Sequence, residues 1–491
     1  MRACLRVNPG ITGRAADSSN RDCLTPPIII HIFPVDMTAE IVVMNRQAVA
    51  MAADSAVTVQ RPLTQGGRPG QKVYLSANKI FALSRVHPVG IMVYGNSTFV
   101  GLPWETAIKE YRAQLRMQAF PTTLEYSTDF FSFVEKSKFV PEKVQEDSFK
   151  ASISGYCRYV VGQIRLRAGE TIRAKGSVSL TETRRIISRT VNDHYRRWRD
   201  AEYLPSARPE LAEAVRAHHE DYIQGVIHEE FQELPLAAAW REKLILVCSL
   251  ISSKLPDGVN PPNYSGVVFA GYGDNEMFPS LWSFIVGDIY RDVLHYRCDQ
   301  PNCLQIGFEV SAGLAPFAQR DVVQMFVSGL SPKHGQFIDR LLRDLAMGIP
   351  EEIIDSLPGV AVRRKAKLKA QWKERASNLS DTLRDELRQY RRAEFEDPVV
   401  RTVTSMPRDE LAAMAEALVN LTSFSRKVTK ELETVGGPVD VAVISKGDGF
   451  VWINRKHYFK PELNPQFFSR CSWEVEGERH EEERESDVHI A

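Results

Sequence analysis

Residues 38–55, Thr38-Ala-Glu-Ile-Val-Val-Met-Asn-Arg-Gln-Ala-Val-Ala-Met-Ala-Ala-Asp-Ser55, carry two apolar runs on either side of Asn45-Arg46. Short apolar runs joined by a turn-forming pair read as a β-hairpin, here ending at Asp54. A Gly- and Pro-rich loop (64–70) follows, and residues 79–83 and 89–94 then read as two further strands that stop at Gly95-Asn96. Working outward, residues 103–117 and much of 133–252 show helical spacing, with charged residues interleaved among Leu, Ile, Val and aromatics.

A second β block is expected over 266–271, 280–286 and 304–310, with 288–297 as another strand. Residues 322–421 return to helical spacing, and the charge-dense stretch 363–397 has too few large apolar side chains to be buried, so it is expected to project from the body. Leu411, Met414, Leu418 and Leu421 form an apolar stripe suited to docking on a sheet, and Pro407 suits that helix's first turn. After Gly436-Gly437, residues 439–445, a Gly-Asp-Gly turn and residues 450–453 read as a last hairpin. Alternating hairpin and helix blocks define an α+β chain, expected as two antiparallel sheets with helices outside both.

Composition narrows the function classes. Lysine and arginine total 62 and aspartate and glutamate total 62, so the formal net charge is zero and no global field favours nucleic acid or an anionic membrane. No apolar stretch reaches the roughly 18 residues that a membrane span needs. The seven cysteines are scattered and odd in number, unlike a disulfide framework, which points to a reducing cytoplasm. Cys298 and Cys303 bracket a turn and lack the further ligands of a zinc site. His218, His219, Glu220, Asp221 and His228 follow no ligand spacing and read as a solvated helical face. The basic run 363–373, with Trp372 in it, reads as a solvated or partner-binding arm rather than a phosphate site.

Thr38, the Ala52-Ala-Asp-Ser55 segment sixteen residues later, the strand headed by Lys79, the strand ending at Gly95 and the terminal Gly436-Gly437 with its apolar strand together resemble the proteasome β-subunit family of N-terminal-nucleophile hydrolases. The resemblance covers residues 38–117, 264–328 and 405–457 and implies a four-layer αββα sandwich with large helical insertions. It implies Thr38 as nucleophile, Asp54 and Lys79 as its charged partners, Gly95 as oxyanion donor and Ser311 as supporting hydroxyl. Lys72 rivals Lys79, and a one-residue register change would put Tyr94 in the place of Gly95. The family places an Asp and a Ser near the glycine pair, where this chain has Leu432-Glu-Thr-Val435: Val435 falls at the Ser position, with Thr434 or Glu433 as substitutes by proximity.

The chemistry fits these residue types. A threonine hydroxyl attacks a carbonyl only when a base takes its proton, and a free α-amine, with pKa near 8, can do so at neutral pH. A lysine ammonium held by a carboxylate would favour the neutral amine. Thr38 must therefore become an N-terminus. Met37 precedes it where the family cuts after glycine, so translation from Met37 followed by methionine removal is the expected route.

The resulting expectations are a leader (1–37), a first core part (38–130), a helical insertion (131–260), continued core (261–330), a second insertion (331–404), the core's last helix and strands (405–460) and a polar tail (461–491). The expected function is cytoplasmic threonine-type hydrolysis of a peptide or amide, in a homo-oligomer and with no cofactor or metal. The alternatives are a small-molecule amidase or acylase, and a catalytically silent binding or assembly module.

Overall fold

The computed structural model describes residues 38–60, 71–429 and 436–466. The leader, the loop at 64–70, Glu433, Thr434, Val435 and most of the polar tail lie outside the described residues. Along the chain run β1 (Ala39–Asn45), β2 (Val49–Ala53), β3 (Val57–Gln60), β4 (Gln71–Tyr74), β5 (Ile80–Ala82), β6 (Val89–Gly95), β7 (Thr98–Phe99) and β8 (Leu102–Pro103). Six helices follow: α1 (Trp104–Leu115), α2 (Thr123–Lys136), α3 (Glu142–Lys175), α4 (Leu180–Asp200), α5 (Glu210–Glu230) and α6 (Ala238–Leu250). The second β block is β9 (Ser265–Gly271), β10 (Ser280–Tyr290), β11 (Val293–Cys298), β12 (Leu304–Gln305) and β13 (Ala312–Ala318). Then come α7 (Arg320–Ser328), α8 (Pro332–Ser356), α9 (Val362–Arg391), α10 (Asp397–Ser405), α11 (Arg408–Val428), β14 (Asp440–Ser445) and β15 (Gly449–Asn454). The chain is thus α+β, with antiparallel sheets.

Two compact units divide these elements. One holds residues 38–77 and Gln305–Tyr458; the other is built mainly of Asn78–Leu304. The expected first core part is therefore split, since the hairpin β1–β2 belongs with the C-terminal strands and β5–β6 with β9–β11.

In the Thr38 unit a five-stranded sheet runs in the order β13-β1-β2-β14-β15. Alternate residues of β1, β2 and β14 (Ile41, Val43, Ala50, Ala52, Val441 and Val443) form a core with Leu411, Ala415, Leu418 and Val419 of α11. The opposite side chains, Val42, Met44, Met51, Ala442 and Ile444, are buried as well. The α11 stripe is turned from its expected position: Ala415 and Val419 take the buried places, whereas Leu421 is 40% exposed. Truncating Leu411 or Leu418 to alanine in such a core costs about 2–5 kcal/mol.

The strand expected over 304–310 is in fact only two residues long, and β13 begins at Ala312. Phe308 and Val310 are exposed despite their alternation with polar neighbours. β13 contains Pro316, which cannot donate to a ladder, and the structure tolerates it because β13 is an edge strand. The expected projecting stretch forms α9, of which only Ala376 and Ser380 are buried. It is bound to α8 by the Trp372 Nε1 hydrogen bond to the Ala346 carbonyl at 2.9 Å.

In the other unit β11-β10-β9-β6-β5 form an antiparallel sheet. Residues 288–297 are not a separate strand: β10 continues to Tyr290 and turns through Arg291 and Asp292, at φ 49° and 58°, into β11. Two positive φ values in a two-residue loop are the type I′ geometry that matches strand twist. One face of this sheet packs Phe81, Ile91, Val93, Phe269 and Phe284 against Trp104, Tyr111, Phe130 and Phe131 of α1 and α2. Helices α3–α6 surround their own core, including Phe149, Cys157, Trp198, Ile227 and Cys248.

Candidate functional site

The register of the Thr38 sheet brings four strand ends to one edge. Ala39 lies opposite Ala318, Glu40 opposite Ala53, and Asp440 opposite Ala53 from the other side. Thr38 therefore stands beside the ends of β13 and β2, with the beginning of β14 on the far side of β2. Its carbonyl accepts the Gln319 N–H at 3.4 Å, which extends the edge pairing by one residue. Thr38 is buried, and its Oγ1 has no hydrogen-bond partner among the described residues. A buried hydroxyl without a partner forfeits about 1–3 kcal/mol, a cost that sets Thr38 apart from an ordinary strand-opening threonine.

Asp54 organises this edge. Oδ1 accepts the Ala39 N–H at 3.0 Å, and Oδ2 accepts the Gly436 N–H at 2.9 Å and the Ala56 N–H at 3.4 Å. Ser55 donates its N–H to the Gly436 carbonyl at 3.2 Å and its hydroxyl to the Pro438 carbonyl. Gly437 adopts φ 81°, and a Cβ there would meet Leu75 and Ser55 at 3.1 and 3.3 Å, so the second glycine of the pair is favoured by both its backbone conformation and this close approach. Thr38 and Asp54 are thus brought together through Ala39.

Ser311 is not part of this arrangement. It precedes β13 at the end where Ala312 pairs with Asn45, six positions along β1 from Ala39, roughly 20 Å at strand rise. Its hydroxyl shares a hydrogen bond with Thr404 Oγ1 at 2.9 Å. The residue that β13 delivers beside Thr38 is instead Gln319, whose Oε1 accepts from Arg426 Nε at 2.5 Å, while Arg426 Nη2 donates to Asp321 at 2.6 Å. Asp440 is also buried at this edge, accepting the Lys456 N–H at 2.9 Å and ion-pairing with the Lys456 ammonium. Glu40, buried two residues from Thr38, completes the charged set. Sequence reasoning missed Gln319, Arg426, Asp440 and Lys456. For Asp440 the signal was present, as a carboxylate leading an otherwise apolar strand.

Lys79 and Gly95 belong to the other unit. Lys79 stands at the head of β5, is 6% exposed, and accepts the Val93 N–H on its carbonyl at 2.9 Å. Burial of a lysine to that degree is uncommon and sets it apart from an ordinary surface residue. Gly95 ends β6 at φ 75°, a left-handed conformation suited to glycine, opposite Ser265. Ser265 Oγ donates to the Asn96 carbonyl and accepts Trp104 Nε1–H, both at 2.8 Å, which fixes the backbone that follows Gly95. Tyr94 lies opposite Gly266. Lys72 is in β4 of the Thr38 unit.

The histidine cluster departs from a purely solvated face. Donor atoms of Glu146, His218 and His219 lie within 4.8 Å of one another. His219 is buried and shares a 2.9 Å hydrogen bond with Tyr290, while Glu146 is engaged by Lys150 at 2.6 Å. Among the described residues no helix is long and apolar enough to cross a membrane. No protein-family model and no curated protein matches the chain.

Proposed function

We propose that the protein is a threonine-type N-terminal-nucleophile amide hydrolase, with Thr38 as nucleophile once it is freed as an N-terminus. The observation that carries this reading is the buried, unpartnered Thr38 Oγ1 at a strand edge where Asp54 holds the adjoining Ala39 N–H. In the freed form the α-amine of Thr38 takes the hydroxyl proton, and the hydroxyl oxygen attacks the amide carbonyl. The amine leaving group departs with a proton, and water cleaves the resulting ester.

Within this proposal the two sheets stack as the inner layers of a four-layer αββα sandwich, so that Lys79 and the backbone at Gly95 serve Thr38. Support comes from each sheet separately: each has one helix-covered face and a second buried face. In the Thr38 unit that second face is Val42, Met51 and Ile444; in the other it is Met92, Val268 and Ile285. A peptide is the proposed substrate, with a small amide as the alternative in the same chemistry, and the enzyme is proposed to work as a cytoplasmic homo-oligomer.

A silent binding module is the second reading. It is favoured by the position of Ser311, because the edge beside Thr38 carries Gln319 and Arg426 in place of a serine hydroxyl. The deciding experiment is N-terminal sequencing of protein made from the native gene, followed by incubation of a Thr38-initiated chain with peptide libraries and small amides. Hydrolysis lost in Thr38→Ala supports the enzyme; a stable chain retaining Met37, and a Thr38-initiated chain inert on every substrate, support the module.

A further inference from the structure

Cys298 is the last residue of β11, and Cys303 follows the 3-10 turn Gln300–Asn302. The turn is closed by Asn302 N–H to the Asp299 carbonyl at 2.8 Å and Cys303 N–H to the Gln300 carbonyl at 3.1 Å. Asp299 N–H anchors it to the Ser283 carbonyl at 2.7 Å. This holds the two sulfurs 3.4 Å apart, both half-buried and neither in a disulfide. Polar donors also reach the sulfurs: the Ser283 N–H is 3.4 Å from Cys303 Sγ, and Gln300 Nε2 is 3.2 Å from Cys298 Sγ. The hydrogen bond from Cys298 holds the Cys303 thiol below its usual range, with the Ser283 N–H adding to it against the effects of burial and Asp299.

A second cysteine pair in the same unit supplies the contrast. The Cys157 and Cys248 sulfurs are 3.7 Å apart, but both residues are fully buried inside the α3–α6 core. There the hydrogen bond with Cys248 and then burial push the Cys157 thiol well up. Oxidation follows thiolate character and access, so two pairs in similar contact differ in reactivity.

We propose that Cys298 and Cys303 are a modification site, a thiol pair that a hydroperoxide converts reversibly into a disulfide, with Cys303 attacking and Cys298 resolving. The Cys303 thiolate sulfur attacks the terminal peroxide oxygen and the O–O bond breaks. The departing oxygen leaves as an alcohol, or as water from hydrogen peroxide, with the proton that Cys303 lost; the sulfur becomes a sulfenic acid, oxidised by two electrons. The Cys298 sulfur then displaces the sulfenic hydroxide, forming the S–S bond, and its thiol proton leaves with that hydroxide as water. A dithiol reductant reverses the bond by exchange. Because Cys298 pairs with Phe284, the disulfide ties the end of β11 to the turn leaving the sheet.

The test uses the full reduced chain, hydrogen peroxide, alkylation and tryptic mapping. Cleavage after Arg297 and Arg320 gives a peptide, residues 298–320, that contains both cysteines and no other. The expected result is that this peptide escapes alkylation and loses two hydrogens, about 2 Da, and that dithiothreitol restores it. The Cys157 and Cys248 peptides stay unoxidised at the same dose. Cys298→Ser is expected to leave Cys303 as a sulfenic acid captured by dimedone, and Cys303→Ser to leave Cys298 a thiol. The proposal is overturned if residues 298–320 retain two alkylatable thiols at a dose that oxidises glutathione in the same tube, or if Cys303→Ser is oxidised as fast as Cys298→Ser.

Discussion

The Asp54 carboxylate accepts the Gly436 backbone N–H at 2.9 Å, tying the end of β2 to the segment that feeds β14. Its other oxygen holds the Ala39 N–H at 3.0 Å, so one side chain fastens three strands at the edge where Thr38 stands. Asp54→Ala leaves the Ala39 and Gly436 N–H groups without this acceptor, a loss of roughly 2–6 kcal/mol for the two together. Asp54→Asn keeps one acceptor and turns an amide donor toward the other N–H, so it is expected to cost less than alanine. Hydrogen exchange resolves the two: both the Ala39 and Gly436 amides lose protection in the alanine variant, and only one does in the asparagine variant.

Gly266 lies across the strand pair from Tyr94, and a Cβ at that position would sit 1.9 Å from the Tyr94 ring. Gly266→Ala must therefore displace the ring next to Gly95. The expected cost is about 1–3 kcal/mol, read as a lower urea midpoint with an unchanged slope. In a double-mutant cycle Tyr94→Ala removes most of the penalty, giving a coupling energy above roughly 1 kcal/mol. Additive losses would show that the clash is relieved elsewhere.

What could be read in the sequence follows burial. The β1–β2 hairpin, β5, β6, β9 and β14 are short, largely apolar and buried on both faces over most of their length, so composition marks them. Residues 304–310 misled because Leu304, Ile306, Phe308 and Val310 alternate as a strand should, yet β13 lies at an edge where Pro316 is no obstacle. Ser311 was placed from the order of segments, and a strand has two ends: only the pairing of Ala39 with Ala318 reveals that Gln319, not Ser311, adjoins Thr38. The Gln319–Arg426–Asp321 chain was illegible for a similar reason, since its members come from a strand end and two helices separated by more than a hundred residues.

His194 gives the helical core a pH dependence. Its Nδ1 is 2.6 Å from the Tyr156 hydroxyl, which also accepts Trp198 Nε1–H, so the hydroxyl proton points at a neutral imidazole nitrogen. Burial first, then Arg197 and Arg167, lowers the His194 pKa from 6.5 to about 4. With the folded value below the unfolded one, the unfolded chain binds the extra proton. The contribution is complete above about pH 6.5 and disappears as pH falls toward 4, amounting to at most about 3 kcal/mol. Urea titrations of the α3–α6 region at pH 7.5 and 4.5 are expected to differ accordingly, and His194→Gln to flatten the difference. An equal pH slope in the variant would assign the effect to other groups.

The catalytic reading makes its sharpest demand on a Thr38-initiated chain. If the α-amine is the base, the rate rises with pH as that amine loses its proton, near pH 8 before neighbouring charges act. Thr38→Ala is expected to abolish turnover, and Thr38→Ser to retain part of it because the hydroxyl and amine remain on one residue. Lys79→Met is expected to lower kcat by about 10²- to 10⁴-fold, the range for loss of a group serving proton transfer. Ser311→Ala is expected to leave kcat within about twofold, since the serine stands a strand's length from Thr38. A Ser311→Ala chain that loses activity while Lys79→Met keeps it would reverse the assignment made from the β1–β13 register, and no arrangement of the Thr38 edge described above would account for it.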